Sequence, residues 1–451
     1  MKGENEKVKR VVGIIVGLCL VIGCWAFPVE TPNARLWPAV EIHDGVETIL
    51  LFKDEIALHL VNGPAKVYNL AGKTVSEGQE VFFPDDGTYY VEEAGVKEYF
   101  TVISYLRYLK SGPLKVTVTP RCRESILTLS PGMTYTTSAG VAKTLNRKVT
   151  VSYTDIGWGE TLWQDSAVVY SGTLINNRLH IPAFYRATDF VVQYDSVWRD
   201  QLGVSQDSLI SALVQPIAVK SHPMATVTVR GKEGEKSNEV DRPTDSKILE
   251  SRSAPLEVYF ESFPSPAVQF YTWRIMRGNE EQAVRNDETV RYSFMNPGGY
   301  TVTHSVANMQ CPCQTDEGDC DKDSSEFKVS IQESQLLVPN VFTPNGDGMN
   351  DEFRVLYRSL REYHIWVYNR WGKLVYESTD PAQGWDGTIG NRPAAEGAYY
   401  YVIRAIGTDA AKNASYHSRQ AYEKGKLNAD DAYLGVYQLS GDINLLRGKQ
   451  K

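Results

Sequence analysis

The chain has 451 residues, 42% of them hydrophobic and 23% charged, and carries a formal net charge of −8. That length exceeds what one hydrophobic core normally fills, so several domains are expected. The acidic balance argues against general nucleic-acid binding, which needs a basic footprint, and 26 Tyr and 9 Trp beside many Val and Thr favour strands.

Residues 1–26 read as a signal peptide. Lys2, Lys7, Lys9 and Arg10 make a positive start, and Val11–Gly23 is an apolar run too short to span a bilayer comfortably. Cys24-Trp25-Ala26 offers a cleavage site with small residues at the right places. Val21-Ile22-Gly23-Cys24 resembles a bacterial lipobox, in which Cys24 would be lipidated; an uncleaved segment would be an N-terminal anchor. Past this segment the cysteines are Cys122, Cys311, Cys313 and Cys320, an even count that suits disulfides in an exported chain. Cys311 or Cys313 can close on Cys320 nearby, whereas a bond to Cys122 needs two domains to touch. Metal binding by the same cysteines lacks a nearby His to complete a tetrahedral set.

Residues 38–103 alternate in short runs, Thr48–Phe52, Ile56–Leu60 and Ala65–Tyr68, broken by Gly63-Pro64, Gly72-Lys73 and Asp85-Asp86-Gly87. Asp86–Val91 has the pattern of the corner that enters a late strand of an Ig-like sandwich. A small antiparallel sandwich is expected there. Residues 111–243 form a second β-rich block with strands near Leu114–Thr119, Val149–Tyr153, Ala167–Tyr170, Phe190–Tyr194 and Ala225–Arg230. Asp200–Leu213 reads as a short helix or a long loop, and Gly231–Ser246, polar and charged, as a linker.

Residues 247–333 carry a clearer order: Leu256–Ser262, Tyr271–Ile275 with an inward Trp273, Tyr292–Phe294, Gly298–Thr303 and Phe327–Ile331. This order resembles the polycystic-kidney-disease (PKD) fold of bacterial surface proteins, which implies a spacer or binding module. An insert, Asn308–Ser325, departs from the pattern. Its Asp316, Asp319, Asp321 and Asp323 suit a solvated acidic loop pinned by a disulfide, or a Ca²⁺ site.

The last module opens at Val338 and is the sharpest feature of the chain. Pro344, Gly346 and Gly348 make a turn, and Asn345, Asp347, Asn350 and Asp351 crowd oxygen acceptors into it. Self-capping is one reading; a calcium site without the bidentate Glu of a full EF-hand loop is the other. A strand at Tyr363–Tyr368, the turn Asn369-Arg370-Trp371-Gly372, a strand at Lys373–Glu377, the turn Trp385-Asp386-Gly387, and strands at Ala395–Ile403 and Tyr437–Leu446 follow. Taken in this order, the motifs of residues 336–447 resemble the gliding-motility-associated C-terminal domain, the type B sorting domain of the Bacteroidetes type IX secretion system. The resemblance implies a β-sandwich read by the outer-membrane translocon, often with a PorP/SprF-like outer-membrane β-barrel as partner. It further implies a protein that is surface-attached or released, many such proteins being adhesins. The polar stretch between Ile406 and Tyr437 departs from the family's more direct passage into its final strand.

Chemistry is thinly marked. Catalytic motifs are lacking, and His222, His304 and His364 sit in strand-like surroundings where packing is the ordinary role. Gly157-Trp158-Gly159-Glu160 with Trp163 could stack on a sugar, or supply core Trp to a sandwich. The expected fold class is all-β: tandem Ig-like and PKD-like sandwiches before a C-terminal sorting sandwich. The expected function is non-enzymatic and without a cofactor: an exported protein presented at the surface for adhesion or assembly toward an unknown ligand. The alternatives are a resident outer-membrane lipoprotein or machinery component docked on a barrel, and a carbohydrate-binding or hydrolytic domain within 111–243.

Overall fold

The computed structural model describes residues 29–30, 40–45, 47–53, 57–60, 65–78, 80–93, 95–232, 235–310, 325–411 and 435–447. The signal segment with Cys24, the acidic insert with Cys311, Cys313 and Cys320, and most of the polar stretch after Ile406 lie outside these residues. The fold is all-β, in tandem β-sandwiches. The chain divides into two compact units, Met1–Ala218 and Val219–Lys451. Among the described residues no helix is long and apolar enough to cross a membrane.

The first unit begins with β1 (Val40–Asp44), β2 (Glu47–Phe52), β3 (Ala65–Asn69), β4 (Thr74–Gly78), β5 (Gly87–Glu93) and β6 (Val96–Ser104). They form one sheet in the order β1-β2-β6-β5-β3-β4. The sheet is not purely antiparallel, as the alternation suggested: β2 runs parallel to β6, with Leu50 opposite Val102. Tyr89 donates its hydroxyl to the Asp85 carbonyl (2.8 Å), closing the corner that its sequence implied. A helix, α1 (Tyr105–Lys110), follows at once, its first turn capped by the Ser104 side chain.

The second sandwich holds β7 (Lys115–Thr119), β8 (Glu124–Ser130), β9 (Arg147–Trp158), β10 (Trp163–Leu174), β11 (Arg178–Pro182) and β12 (Val191–Tyr194), then α2 (Ser196–Leu202) and β13 (Ser208–Ile210). Sheet β7-β8-β11 faces sheet β10-β9-β12-β13 across a core of Leu127, Val151, Phe184, Phe190 and Val192. The helix starts a few residues before Asp200–Leu213, the segment read as a short helix or a long loop, and overlaps its beginning, ending at Gly203, whose φ of +59° terminates it.

In the second unit, β14 (Met224–Val227), β15 (Leu256–Glu261), β16 (Phe270–Arg277), β17 (Glu280–Arg285), β18 (Thr289–Phe294), β19 (Gly298–Ala307) and β20 (Ser325–Ile331) build a third sandwich, β14-β15-β18 over β17-β16-β19-β20. The strand expected to finish the second block is therefore the edge strand of the third: Val227 pairs with Val258. Trp273 points inward and is fully buried beside Phe260. The terminal module has β21 (Val341–Phe342), β22 (Leu360–Tyr368), β23 (Leu374–Ser378), β24 (Gly397–Gly407) and β25 (Val436–Leu445), ordered β21-β25-β24-β22-β23. Phe342, Phe353, Val367, Trp385, Tyr399 and Ile443 fill its core.

Asn238 and Asp241, in the stretch read as a linker, fasten it to the terminal module. The Asn238 side-chain amide donates to the carbonyls of Val355 (2.9 Å) and Pro381 (2.6 Å), and Tyr357 N–H donates to the Asn238 carbonyl. Arg358 pairs with Asp241 at 2.6 Å.

Candidate functional site

Strand register carries the terminal motifs to one end of the module. Tyr368 opposes both Tyr400 and Leu374, while Gly397 opposes Leu445 and Leu445 lies beside Phe342. The opening loop, the turn after β22, the segment leading into β24 and the residues after β25 therefore meet at this end.

In the opening loop Asp351 is the organiser. Its Oδ1 accepts from the N–H groups of Asn345 (3.0 Å) and Gly346 (2.7 Å), and its Oδ2 from Gly348 (2.7 Å). The Gly346 N–H, foremost among these donors, holds the Asp351 carboxyl below the usual range. Asn345 accepts from Asp347 N–H, and Asp347 accepts from Met349 N–H and from the Asn345 amide. Gly346 and Gly348 have φ of +78° and +82°, and Asn350 takes a positive φ where Asn is tolerated. A calcium cage needs its oxygens converging on the ion. Here the Asn345, Asp347 and Asp351 oxygens serve the loop's own N–H donors, and Asn350 contributes its backbone carbonyl to Thr343 N–H. Among the described residues no group of three or more His, Cys, Asp or Glu converges on a metal geometry.

The turn after β22 is built by Asn369, whose Oδ1 accepts from Trp371 and Lys373 N–H, both at 3.0 Å, with Gly372 at φ +77°. Trp371 itself is 75% exposed, with the Arg370 guanidinium 4.3 Å from its ring centre. Trp385 does the opposite. It is buried, donates Nε1–H to the Thr388 carbonyl and packs on Phe342 and Tyr399. Asp386 accepts from Thr388 N–H and hydroxyl, which shapes the turn. A role that the motifs did not reveal belongs to Arg447. Its guanidinium donates to the carbonyls of Pro344 (3.2 Å) and Gly387 (2.9 Å), tying the opening loop to the Trp385-Asp386-Gly387 turn. Only the final Leu-Leu-Arg pattern could have signalled it.

The other candidates are scattered. Cys122 is disulfide-bonded. Trp158 and Trp163 are not core residues of the second sandwich. They face each other across the tip of the β9–β10 hairpin, edge to face at 5.2 Å and half-buried, beside exposed Glu160; a hairpin of this length carries its alternation beyond the core. His364 stacks on Trp366 and contacts Glu377 Oε1 at 2.6 Å, whereas His304 is fully buried against Trp273. His222 donates its backbone N–H to the Phe263 carbonyl, and burial, then Lys220, lower its imidazole pKa.

Residues 336–419 match the CHU_C type IX secretion signal domain family. Residues 117–210 match the fibronectin type III domain family, an assignment that composition and alternation left at "β-rich". No curated protein matches the chain. Among solved structures, the chain is similar to the tetra-tandem repeat in the extending region of a large adhesion protein, at 10% identity, with 87% of this chain and 95% of that one covered and a TM-score of 0.18. It is also similar to the FN1–FN3 domains of chicken CNTN1, at 13% identity, with 66% and 94% covered and a TM-score of 0.21. The chain thus carries a C-terminal type IX secretion signal domain behind fibronectin- and Ig-like sandwiches, which implies dealings with that secretion machinery and export across the outer membrane.

Proposed function

We propose that this protein is a non-enzymatic surface protein, exported by the type IX system and held at or released from the cell surface for adhesion or assembly. The terminal module is its address, and the upstream sandwiches are the cargo that meets an external ligand. The observation that carries this reading is the match of residues 336–419 to the secretion signal family. Its fit with the gathering of the module's motif loops at one end, clasped by Arg447, adds to it. Such an end is a compact surface for a translocon to read, with a PorP/SprF-like barrel as the dedicated partner. The third sandwich serves as a PKD-type spacer. Its strand order and its buried Trp273 support that assignment. Sandwiches of these classes host many binding functions, so the ligand is identified by binding and not by fold.

The test is deletion of residues 336–451 followed by fractionation of cells. Retention of the truncated chain inside the outer membrane is expected. Normal arrival at the surface would sink the sorting role.

A further inference from the structure

The first module of the chain is built on the frame of the terminal one. In both, a strand ends in the same turn: Val67-Tyr68-Asn69, then Gly72-Lys73, and Val367-Tyr368-Asn369, then Gly372-Lys373. Asn69 Oδ1 accepts from Ala71 and Lys73 N–H as Asn369 does from Trp371 and Lys373. A bulge follows Val67 and Val367 alike. Tyr68 opposes Tyr90 as Tyr368 opposes Tyr400. Tyr89 opposes Phe100 and bonds the Asp85 carbonyl, as Tyr399 opposes Ile443 and bonds the Ala395 carbonyl. The parallel edge agrees as well: Leu50 beside Val102, and Phe342 beside Leu445.

This correspondence makes the first module an internal control for the terminal one. The core positions are equivalent, but the outer face near the parallel edge is not. In the first module Ile49 and Ile103 are 0% and 4% exposed, packed into a cluster with Met133, Tyr135 and Leu145 of the second sandwich. Thr88 and Thr101 on the same face bond the Thr136 carbonyl. That face therefore receives the short strand Thr134–Thr136 of a neighbouring sandwich. Their counterparts in the terminal module are Val341, Leu446, Ala398 and Asn444. Val341 is 41% and Leu446 49% exposed, and Ala398 and Asn444 are exposed too. Apolar side chains at an exposed sheet face, where the sister module buries theirs under another domain, mark an interaction surface.

We infer that the outer face formed by Val341, Ala398, Asn444 and Leu446 is the docking face on which a folded β-rich protein of the export machinery seats a strand. The inference rests on the sorting role proposed above. The first module shows the chemistry that such a face accepts: an extended segment with aromatic or aliphatic side chains and a free carbonyl. Asn444 stands where Thr101 stands, and its amide can donate to that carbonyl.

The experiment uses the full chain in cells of the producing bacterium. Ala398→Glu places a charge on the face without touching the core. Asn444→Asp, nearly isosteric, removes the donor and keeps the test open should Glu at 398 disturb folding. Surface display is read by protease accessibility on intact cells, and melting of the purified variants checks the fold. The expected result is a fall in display of about tenfold or more at unchanged melting temperature, with the chain accumulating in the periplasm. Wild-type display at unchanged melting temperature overturns the docking face. If the 336–451 deletion is retained at the same time, the sorting role stands and only the face falls. If the deletion is displayed as well, the sorting role falls too. Should the wild type sediment as a dimer that Ala398→Glu dissolves while display persists, the face belongs to a second copy and the inference is overturned.

Discussion

Arg147 and Asp195 form an ion pair with neither side chain reaching solvent. Arg147 Nε lies 3.0 Å from Asp195 Oδ1, and the pair is enclosed by tyrosines: Tyr105 donates to Asp195 Oδ2 (3.0 Å), and Arg147 donates to the Tyr108 hydroxyl (2.6 Å). Tyr105 and Tyr108 belong to α1, and Arg147 and Asp195 to the second sandwich, so this network fastens the helix after the first module to the next domain. Burial, then the Asp195 charge, pushes the Tyr105 hydroxyl up. Removing one partner strands the other charge. Arg147→Met and Asp195→Leu are each expected to cost about 3–5 kcal/mol in urea denaturation, and the double variant less than the sum. A purely additive cycle would show that the pair is not coupled.

His304 gives the third sandwich a pH dependence. It is fully buried, neither ring nitrogen has a hydrogen-bond partner, and desolvation lowers its pKa to about 4. The unfolded chain holds its proton near 6.5 and the folded chain does not. Stability is therefore complete above 6.5 and is lost as pH falls from there toward 4. At pH 5 the loss attributable to this group is about 2 kcal/mol. Denaturation at pH 7.5 and pH 5.0 should show that His304→Leu is less acid-sensitive than the wild type; equal sensitivity would remove His304 from the account.

Ser253 and Ser359, both fully buried, meet at the seam between the third sandwich and the terminal module, where two hydrogen bonds tie Ser253-Ala254 to Ser359. Ser359 N–H donates to Ser253 Oγ and Ala254 N–H to Ser359 Oγ, each at 3.0 Å. Ser253→Ala leaves the Ser359 N–H without its acceptor, an expected cost of about 1–3 kcal/mol. Faster hydrogen exchange at the Ser359 amide would be the local sign. Unchanged exchange there, with unchanged melting, would mean that the seam does not depend on this pair.

Strands were legible wherever apolar residues alternate. Tyr363–Tyr368 lies within β22, and Trp273 is inward as its pattern requires, because a buried face imposes period two on the chain. Partnership was less legible. Ala225 alternates well but nothing local says that β14 pairs with Leu256–Glu261 instead of with the preceding block. Asn238 and Asp241 are polar because backbone carbonyls and Arg358 satisfy them, and in sequence that looks the same as solvation. The buried Arg147–Asp195 pair was hidden for the same reason: a charge reads as surface until its partner, distant in the chain, is placed beside it. In the terminal module the turn chemistry was readable from Asn369, Gly372 and Asp351. The exposure of Trp371 against the burial of Trp385 was not, since only the tertiary contacts separate the two.

Gly387 is a tight point of the motif end, closed in by core side chains. Its φ is +73°, a region where an L side chain is strained, and an added Cβ would lie 3.0 Å from Pro344 Cγ and 3.2 Å from both Leu445 Cδ1 and Phe342 Cε2. Two of those contacts are core residues with little room to yield, because Phe342 and Leu445 are buried. Gly387→Ala therefore combines backbone strain with overpacking, and a loss of about 2–4 kcal/mol is expected. The Gly387 carbonyl also accepts from Arg447, so a shifted turn should loosen the clasp on the opening loop and raise protease cleavage within residues 343–351. Arg447→Ala removes the clasp without strain. It should reproduce the protease sensitivity with a smaller loss of stability, about 1 kcal/mol, since the freed carbonyls can meet water. Limited proteolysis and thermal denaturation of the two variants side by side separate the effects. If Gly387→Ala melts with the wild type, the turn is not held as closely as this geometry requires.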